Sequence, residues 1–475
     1  MSQSLLDLNT LLQACGGTVI GSAAECHFTS VVTDSRNVVK DSLFVPLVGE
    51  FQNGHKYIPQ AVQNGASVVF VNRNENTEGI SSLASVVFIA VENTLHALQA
   101  AAKAYAQKVA ADMIRVSITG SSGKTTTKEM LVNVCKAHFG ENKVAYTKGN
   151  FNSETGLPLS MFQIRGDEKI GIFEMGMNRV DEIGEISAVW QSQYGIITNI
   201  GNAHIGILGS RENIAREKRK SFDYIPSNGA AFVPAQDDFA DFCTENVSGK
   251  IIRFGKNIPE SVSGVKFIKS LGLKGTLFSL DGIEITLPLS GEYNYQNALG
   301  VIALAKEIGI TAGEIKTGLE AMSAVNGRME IKDVCLKSGV KAVIVCDCYN
   351  ANPDSMEKVI EFCASDTTCT QKLFVLADMK ELGAESEKAH TQIGRAVATA
   401  DAQLVILAGP EMKAAAGVLG DKAEYFEENN EEFYVAAARL ILDTAKDGCL
   451  VLIKGSHSMA LEKIIPLIAG EEVHK

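Results

Sequence analysis

Short apolar runs separated by helical stretches make up most of the chain. The run Ile114 to Ile118 leads straight into a glycine-containing loop, and Lys128 to His138 has the pattern of the helix that follows; Leu95 to Val109 is an alanine-rich helix. The other strand-like runs are Ser42 to Val48, Ser67 to Val71, Ile170 to Phe173, Gly195 to Ile200, Ala342 to Cys346, Leu373 to Leu376, Leu404 to Leu407 and Leu450 to Ile453. Strands that alternate with helices predict parallel sheets with helices on both faces.

A chain of 475 residues is too long for a single hydrophobic core, so about three domains are expected. The predicted fold class is α/β with a small α/β N-terminal domain at 1–92, a central doubly wound domain with the phosphate loop at 93–326, and a C-terminal Rossmann-like domain at 327–475. The C-terminal domain has no G-x-G-x-x-G fingerprint, so a nicotinamide or flavin dinucleotide site is not indicated.

Composition and charge narrow the class of protein. The net charge of −12 and the pI near 5.3 argue against nucleic acid as the main partner, although a local basic pocket can still bind an anionic small substrate. No apolar run approaches the roughly 20 residues that cross a bilayer. The first residues also lack a basic segment followed by an apolar one. We therefore expect a cytoplasmic protein without membrane insertion.

The ten cysteines are scattered and form no C-x-x-C pair. Reduced thiols explain this pattern better than a disulfide framework or a zinc site. Cys346 and Cys348 are one residue apart on a strand-like run, so their side chains are expected to share a face.

The glycine-containing loop is the strongest chemical motif. Gly120 and Gly123 allow a tight turn, Lys124 can reach terminal phosphates, and the Thr125 hydroxyl can bind Mg²⁺. The preceding strand and following helix are the context that the motif requires, against the alternative of a chance glycine turn. Ile118 occupies the position of the first glycine in the full G-x-x-x-x-G-K-[ST] pattern.

Other candidates have plainer alternatives. Glu174 ends a strand-like run and could complete a Mg²⁺ site, or it could be a turn residue. His204 could bind a metal or be structural. Lys218 lies in the charge-rich stretch Arg211 to Lys220, which favours a solvated face. Gly49 to His55 could be a binding loop or an ordinary surface loop.

A series of short motifs extends over essentially the whole chain. They are Thr33 to Arg36, Leu43 to Val45, Gly54-His55, Thr119 to Thr126, Thr147 to Asn152, Glu174 to Gly176, Asn199 to His204, Ser290 to Ala298 and Gly327 to Glu330. In this order and spacing they resemble the Mur ligase family. The family pattern T-G-x-x-G-K-T-[ST] matches Thr119 to Thr126, which accounts for Ile118.

The stretch Asp347 to Pro353 discriminates within the family, and Leu376 to Gly383 and Lys454 to Ser456 agree with it. It resembles the members that add D-alanyl-D-alanine to UDP-N-acetylmuramoyl-tripeptide. A D-[ND]-P-R-type signature, expected of diaminopimelate- or lysine-adding relatives, is missing from the sequence. The resemblance implies an ATP-dependent, Mg²⁺-dependent carbon–nitrogen ligase, and we expect the protein to be a monomer. The alternatives are a neighbouring Mur step, a folate-polyglutamylating enzyme, and a nucleotide-binding switch that ligates nothing.

The resemblance also implies roles for individual residues. The phosphate loop would consist of Gly120, Ser121, Ser122, Gly123, Lys124, Thr125 and Thr126. The Mg²⁺ ligands would be Thr125, Glu174, His204 and a carbamate on Lys218. The catalytic residues would be Lys124, His204 and Lys218. Asn297, Arg328 and Asp347 would contact adenine, phosphate and ribose. Substrate contacts would come from Ser35 and Arg36 (uridine nucleotide), from Asn150 and Asn152, and from Asn350 and Asn352 (dipeptide).

Three residues depart from the family pattern: Tyr293 replaces a histidine, Ala377 replaces a glycine, and His457 replaces an arginine that could anchor a substrate carboxylate. None of them belongs to the phosphate loop or the metal set. Because the substrates draw on different domains, the C-terminal domain is expected to close on the central one. Gly327-Arg328 is the predicted hinge.

Overall fold

The computed structural model describes residues 3–21, 26–75, 86–325 and 327–472. Within those ranges, no helix is both long and apolar enough to traverse a lipid bilayer. The sheets follow one another along the chain, and each is accompanied by its own helices.

The N-terminal sheet is mostly parallel. In the described part of residues 3–113, its strands are β1 (Thr18–Ile20), β2 (Ser30–Val32), β3 (Ser42–Phe44), β4 (Ala66–Asn72) and β5 (Val87–Val91), and the helices are α1 (Leu8–Cys15), α2 (Ile58–Gln63) and α3 (Thr94–Val109). The strand order is β1-β5-β4-β3-β2, with β1 antiparallel to β5. Val68 and Phe70 point into one apolar cluster and Val69 and Val71 into another, so β4 is buried on both faces.

Helix α3 is buried on two sides. Its Leu98 lies in the same apolar core as Leu11 of α1 and as Leu157, which is further along the chain. The Tyr105 hydroxyl donates a hydrogen bond to the Ile164 carbonyl oxygen at 2.5 Å. The N-terminal and central parts of the chain therefore share one continuous core, and the predicted boundary after residue 92 stays a prediction.

The central sheet, in a stretch described without a gap, consists of parallel strands. They are β6 (Ile114–Thr119), β7 (Val144–Tyr146), β8 (Ile170–Glu174), β9 (Tyr194–Ile197), β10 (Ala230–Pro234) and β11 (Lys250–Phe254). The helices of this part are α4 (Lys124–Phe139), α5 (Gly156–Met161), α6 (Glu182–Trp190), α7 (Ile205–Leu208), α8 (Arg211–Arg219), α9 (Ala240–Thr244), α10 (Glu260–Ser263), α11 (Glu292–Glu307) and α12 (Ala312–Glu320). The order β11-β10-β9-β6-β8-β7 puts β6 inside the sheet, so its carboxyl end opens between β8 and β9.

A small antiparallel sheet follows β11, and the sequence analysis did not predict it. Its strands are β12 (Val265–Ser270), β13 (Thr276–Leu280) and β14 (Ile283–Leu287). β12 is exposed along most of its length and carries Lys266 and Lys269, so it lacks the continuous apolar pattern used to recognise strands.

The C-terminal sheet mixes parallel and antiparallel strands. Between residues 327 and 472 they are β15 (Glu330–Leu336), β16 (Lys341–Asp347), β17 (Gln371–Ala377), β18 (Leu404–Ala408), β19 (Glu424–Phe426), β20 (Cys449–Lys454) and β21 (Ala469–Glu472). The helices are α13 (Pro353–Ser365), α14 (Ser386–Ala398), α15 (Lys413–Leu419), α16 (Glu431–Thr444) and α17 (Ile465–Ile468). The four predicted strands are β18, β17, β20 and β16 of its parallel part, β19-β18-β17-β20-β16; β19 was not predicted, and β15 and β21 add an antiparallel edge.

Three predicted boundaries need correction. The run Ser42 to Val48 forms a strand only as far as Phe44, since Pro46 has no N–H to donate to a neighbouring strand. The run Gly195 to Ile200 forms the strand Tyr194–Ile197, because the next side chains turn to the phosphate loop. The helix predicted from Lys128 begins at Lys124, so the loop itself supplies its first turn.

The cysteine prediction is confirmed: all ten cysteines are unpaired thiols. Cys346 and Cys348 share a face as expected, with their sulfur atoms 3.4 Å apart and both buried.

Candidate active site

The loop between β6 and α4 depends on two glycines. Gly120 has a φ of 151°, and a Cβ there would lie 1.8 Å from Thr198 Oγ1. Gly123 has a φ of 82°, and a Cβ there would lie 2.7 Å from the side chain of Asn297. Helix α4 starts at Lys124 directly after this glycine, so the free backbone N–H groups of its first turn point toward the loop. This geometry suits a bound phosphate.

Side chains that follow β9 hold the loop in place. Thr198 Oγ1 donates to the Ser122 carbonyl oxygen at 2.5 Å, and Asn199 Nδ2 donates to the same oxygen at 3.0 Å. The Gly201 N–H donates to Ser121 Oγ at 2.9 Å. Sequence reasoning placed Asn199 in a motif but missed this role. The adjacency of β6 and β9 at the sheet's carboxyl edge was the feature that could have revealed it.

Two lysines converge on one backbone oxygen in the loop. Lys124 Nζ lies 2.8 Å and Lys218 Nζ 3.0 Å from the Gly120 carbonyl oxygen. Burial lowers the pKa of Lys124. Burial, together with the charge of Lys124, lowers the pKa of Lys218 well below its ordinary value. Among the described residues neither lysine has a carboxylate within ion-pair distance, although the charge of Glu174 acts on both, and a bound phosphate group could supply further negative charge.

The interpretation of Lys218 as part of a solvated face is wrong. The residue is 1% exposed on α8. Ile214 and Ala215 precede it by one helical turn and are buried on the same face. This helical spacing was present in the sequence and could have identified the buried lysine.

Glu174 ends β8 and is 2% exposed. Its Oε2 accepts a hydrogen bond from Thr125 Oγ1 at 2.9 Å, and its Oε1 accepts one from Asn152 Nδ2 at 2.7 Å. Both partners are neutral, so neither balances the charge of the carboxylate. A buried carboxylate beside a hydroxyl is the oxygen donor set that Mg²⁺ prefers, and these residues therefore fit the ion.

The carboxyl edge of the C-terminal sheet faces the same loop. Asp347 at the end of β16 pairs with Lys454 at the end of β20, with Oδ2 and Nζ 2.5 Å apart. The other oxygen, Oδ1, accepts from the Met329 N–H at 3.1 Å. Sequence reasoning gave Lys454 no role, although it faces Asp347 across adjacent parallel strands.

Helix α13 brings the C-terminal domain into contact with the loop. Asn352, which caps this helix, donates from Nδ2 to Ser122 Oγ at 3.0 Å. Asp354 accepts from the backbone N–H of Asn202 at 2.7 Å and from its side-chain amide at 2.9 Å. The phosphate loop is therefore covered by the C-terminal domain.

A cavity of about 760 Å³ lies between the two domains at the loop. The structure brings most of the predicted residues to its wall: Ser121, Ser122, Gly123, Lys124, Thr125, Thr126, Asn150, Asn152, Glu174, His204, Asn297, Arg328, Asp347, Asn350 and Asn352. Gly120 and Lys218 lie behind this wall and are joined to each other by a hydrogen bond.

Ser35 and Arg36 lie in the N-terminal domain and are not among the residues that line this cavity. Ser35 is buried, and its hydroxyl donates to Gln60 Oε1 at 2.7 Å. Arg36 is exposed and pairs with Asp34 at 2.6 Å. Phe51, in the nearby loop Gly49 to His55, is 90% exposed.

A second cavity of about 230 Å³ adjoins the first. His204, Asn350 and Asn352 line both cavities. His204 has a left-handed backbone with a φ of 65°, and its Nδ1 lies 2.7 Å from Glu381 Oε2 of the C-terminal domain. Sequence reasoning placed Glu381 in a motif without a role.

Family models match three parts of the chain: "Mur ligase family, catalytic domain" over residues 27–106, "Mur ligase middle domain" over 118–305, and "Mur ligase, glutamate ligase domain" over 327–457. A UDP-N-acetylmuramoyl-tripeptide--D-alanyl-D-alanine ligase of Treponema pallidum is 37% identical over 466 residues, which cover 96% of this chain and 97% of that protein. The chain belongs to the Mur ligase family.

Solved structures agree with this assignment. MurF from Acinetobacter baumannii is similar to this Mur ligase with a TM-score of 0.85 and 28% identity, over 98% of each chain. MurF ligase from Thermotoga maritima in complex with ADP is similar with a TM-score of 0.78 and 25% identity, over 92% of this chain and 96% of that one. The predicted three-domain α/β fold class is confirmed.

Two of the family departures lie at the cavities of this Mur ligase. Tyr293 lines the larger one; burial raises the pKa of its phenol well above the ordinary value, and its hydroxyl has no hydrogen-bond partner among the described residues. His457 lines the smaller cavity and stacks on Tyr349 with ring centroids 5.4 Å apart. The Arg328 guanidinium lies 4.1 Å from the centroid of the same tyrosine ring. His457 is therefore part of an aromatic stack.

The third departure is accommodated by a neighbouring glycine. A Cβ on Gly455 would lie 2.9 Å from the Cβ of Ala377. Because Gly455 has no side chain, the methyl group of Ala377 on β17 fits against it.

Proposed function

We propose that this Mur ligase uses ATP to join D-alanyl-D-alanine to UDP-N-acetylmuramoyl-tripeptide, the final cytoplasmic peptide-adding step of peptidoglycan precursor synthesis. The observation that carries the proposal is the junction of the two cavities at His204, Asn350 and Asn352. The larger cavity, of about 760 Å³, lies in the size range of small-molecule and cofactor sites, and the smaller one extends it beside His204. The name of the Treponema pallidum relative supports the choice of substrates.

The reaction takes two chemical steps. An oxygen of the tripeptide's terminal carboxylate attacks the γ-phosphorus of ATP, and the bond to the leaving ADP breaks to give an acyl phosphate. The amine nitrogen of D-alanyl-D-alanine then attacks the acyl carbon, and inorganic phosphate leaves while the nitrogen loses a proton. Both reactants of the first step are anions, so neutralisation of charge is the main catalytic requirement.

The phosphate loop supplies much of that neutralisation. Lys124 and the backbone N–H groups from Gly120 to Thr126 would bind the β- and γ-phosphates, as their convergence on one point favours. Asn297 would contact adenine, and Arg328 and Asp347 would contact phosphate and ribose.

Thr125 and Glu174 would hold one Mg²⁺ ion, and His204 and a carbamate on Lys218 would hold a second. When bound, Mg²⁺ would neutralise phosphate charge and polarise the γ-phosphoryl group. The buried carboxylate of Glu174 with its two neutral partners supports the first site.

The environment of Lys218 supports the carbamate. A buried lysine beside another cation favours the neutral amine, whose nitrogen can add to carbon dioxide and lose a proton to form an anionic carbamate. Protein prepared with ¹³C-bicarbonate should give a carbamate carbon resonance that disappears in Lys218→Met. A spectrum without that resonance in the unaltered protein would exclude the modification.

Substrate contacts complete the proposal. Ser35 and Arg36 would bind the uridine nucleotide from the N-terminal domain, and Asn150 and Asn152 would contact substrate at the larger cavity. Asn350 and Asn352 would bind the dipeptide. Gly327, with a φ of 69°, would be the hinge of a monomer whose C-terminal domain closes over ATP.

A coupling assay tests the function. Purified protein with ATP, Mg²⁺, D-alanyl-D-alanine and UDP-N-acetylmuramoyl-tripeptides that differ in their third residue should form the UDP-linked pentapeptide, with one phosphate released per amide. L-alanyl-L-alanine is the matched control. Phosphate release without either peptide substrate would favour a nucleotide-hydrolysing switch and contradict the proposal.

A further inference from the structure

A carboxylate from one domain meets a histidine ring from another beside the two cavities. Glu381 belongs to the loop after β17 in the C-terminal domain, and His204 follows β9 in the central domain. Glu381 Oε2 lies 2.7 Å from His204 Nδ1, which is within ion-pair distance, but the ring N–H is not aimed at the carboxylate as a hydrogen bond requires, so a small turn of the ring would be needed to form one. The His204 side chain is 15% exposed and the Glu381 side chain 50% exposed, so the pair lies at the edge of the interface.

The backbone holds these two loops in register. The Gly206 N–H donates to the Glu381 carbonyl oxygen at 3.1 Å. A Cβ on Gly206 would lie 2.5 Å from the Gly383 nitrogen, so this close approach is possible only with glycine. Glu381 itself has a left-handed φ of 65°. The carboxylate is therefore placed by the docking of the C-terminal domain.

An imidazole ring has two nitrogens, and a partner at one of them decides what the other can do. When a carboxylate accepts the proton of Nδ1, the lone pair of Nε2 becomes available. Metal-binding histidines in proteins are commonly oriented in this way by a carboxylate on the far nitrogen. His204 lines both cavities, so its ring orientation bears directly on the place where the substrates would meet.

We propose that Glu381 is a positioning residue: on domain docking it accepts the Nδ1 proton of His204 and fixes the ring with Nε2 free for the reaction site. Productive geometry at His204 then exists only when the C-terminal domain is in place. The inference rests on the proposed function for its catalytic consequence, but the ring tautomer can be measured without any reaction.

The test uses full-length protein with ¹⁵N-labelled histidine rings, in EDTA with ADP present, near pH 8, where free imidazole is neutral. Long-range proton–nitrogen spectra should show His204, assigned through His204→Asn, with its proton on Nδ1. In Glu381→Ala the proton should shift toward Nε2, the tautomer that free histidine favours. Glu381→Gln keeps an oxygen that can accept the proton and should retain the Nδ1 form. The matched control is Glu385→Ala, because Glu385 lies close to Glu381 in the chain and pairs with nearby Lys388.

Kinetics and scattering separate positioning from other roles. In the coupling assay Glu381→Ala should lower kcat by roughly 10–100-fold with little change in the KM for ATP, and Glu381→Gln should recover most of the loss. X-ray scattering of Glu381→Ala with ADP should match the unaltered protein, because the backbone contact at Gly206 and the contacts of Asp354 remain.

Three results would overturn the inference: an unchanged His204 tautomer in Glu381→Ala, an expanded scattering curve for that variant, or a loss in Glu381→Gln as large as in Glu381→Ala. Absence of any peptide coupling would instead refute the proposed function, while the tautomer measurement would still decide the role of Glu381.

Discussion

Lysines shielded from solvent lie both at the phosphate loop, where Lys218 is buried and Lys124 half-buried, and at the edge of the C-terminal sheet, but the partners of these lysines differ. At the sheet edge, Lys454 is fully buried and has Asp347 as its counter-charge. At the loop, Lys124 and Lys218 share one neutral carbonyl oxygen. Lys454 therefore has an ion-pair partner, whereas neither loop lysine has a carboxylate within ion-pair distance among the described residues.

This difference separates structural cations from ligand-binding ones. A buried charge without a partner is costly, and a protein tolerates it where a ligand can supply the missing charge. Lys128 strengthens the contrast, because it is as deeply buried as Lys454 and pairs with Glu129 at 2.7 Å, while its Nζ donates to the Thr147 carbonyl oxygen. It plays no part in the proposed site.

The largest expected effect is a loss of activity on replacing Lys124, one of the two loop lysines without an ion-pair partner among the described residues. Lys124→Ala should lower turnover by at least about 10²–10³-fold, because it removes a preorganised charge from the γ-phosphate position. The circular dichroism spectrum should stay unchanged, since Lys124 forms no ion pair with another described residue. The measurement is phosphate release in the coupling assay, with the exposed Lys422→Ala as control. Near-normal turnover in Lys124→Ala would break the comparison.

Replacing Lys454, the lysine of the sheet edge that has an ion-pair partner, should instead lower stability. Lys454→Met leaves Asp347 without its counter-charge and should lower the free energy of unfolding by about 3 kcal/mol. Urea unfolding measures the change, and the double variant Lys454→Met/Asp347→Asn should regain part of it. If the single variant is as stable as the unaltered protein, the ion pair of Lys454 does not stabilise the fold, and the contrast with the loop lysines is wrong.

Removing the second loop lysine should not destabilise the fold. Lys218→Met replaces a buried amine, whose lowered pKa favours the neutral form, by an apolar side chain of similar length, so stability should be unchanged or higher by about 1 kcal/mol. Urea unfolding in bicarbonate-free buffer tests this without interference from a carbamate. A loss of several kcal/mol would mean that Lys218 has a structural role.

The smallest expected effect concerns the contact that joins the two regions. Asn352→Ala removes the cap of α13 together with the hydrogen bond to Ser122, and the share that belongs to the Ser122 bond should weaken docking by about 1 kcal/mol, which corresponds to about a fivefold higher KM for ATP. A double-mutant cycle with Ser122→Ala checks it, since the two changes should not add. Additive effects would show that the bond does not couple the domains.

Much of the fold and the loop could be predicted from sequence. Apolar runs identified most of the buried parallel strands, since strands covered on both faces leave a continuous pattern, but the buried strand β10 was not predicted. The exposed strand Val265–Ser270 leaves no such pattern and was missed. Lys218 was misinterpreted because its charge was weighed above its helical spacing.

Contacts between domains were beyond the sequence. The pairs His204–Glu381 and Asn202–Asp354 join residues far apart in the chain, and they depend on how two separately packed sheets dock. The pattern of apolar and polar residues within one helix or strand does not specify how two domains dock. The family resemblance supplied the list of site residues, but not the partner that each residue meets.

The double burial of helix Thr94–Val109 has a practical consequence for cutting the chain into fragments. A fragment that begins at residue 93 would keep this helix but uncover Leu98, which now packs in one core with Leu11. Such an exposed apolar surface invites aggregation. Expression of an active two-domain fragment should therefore require redesign of that helix face, whereas a cut near residue 327 leaves it covered.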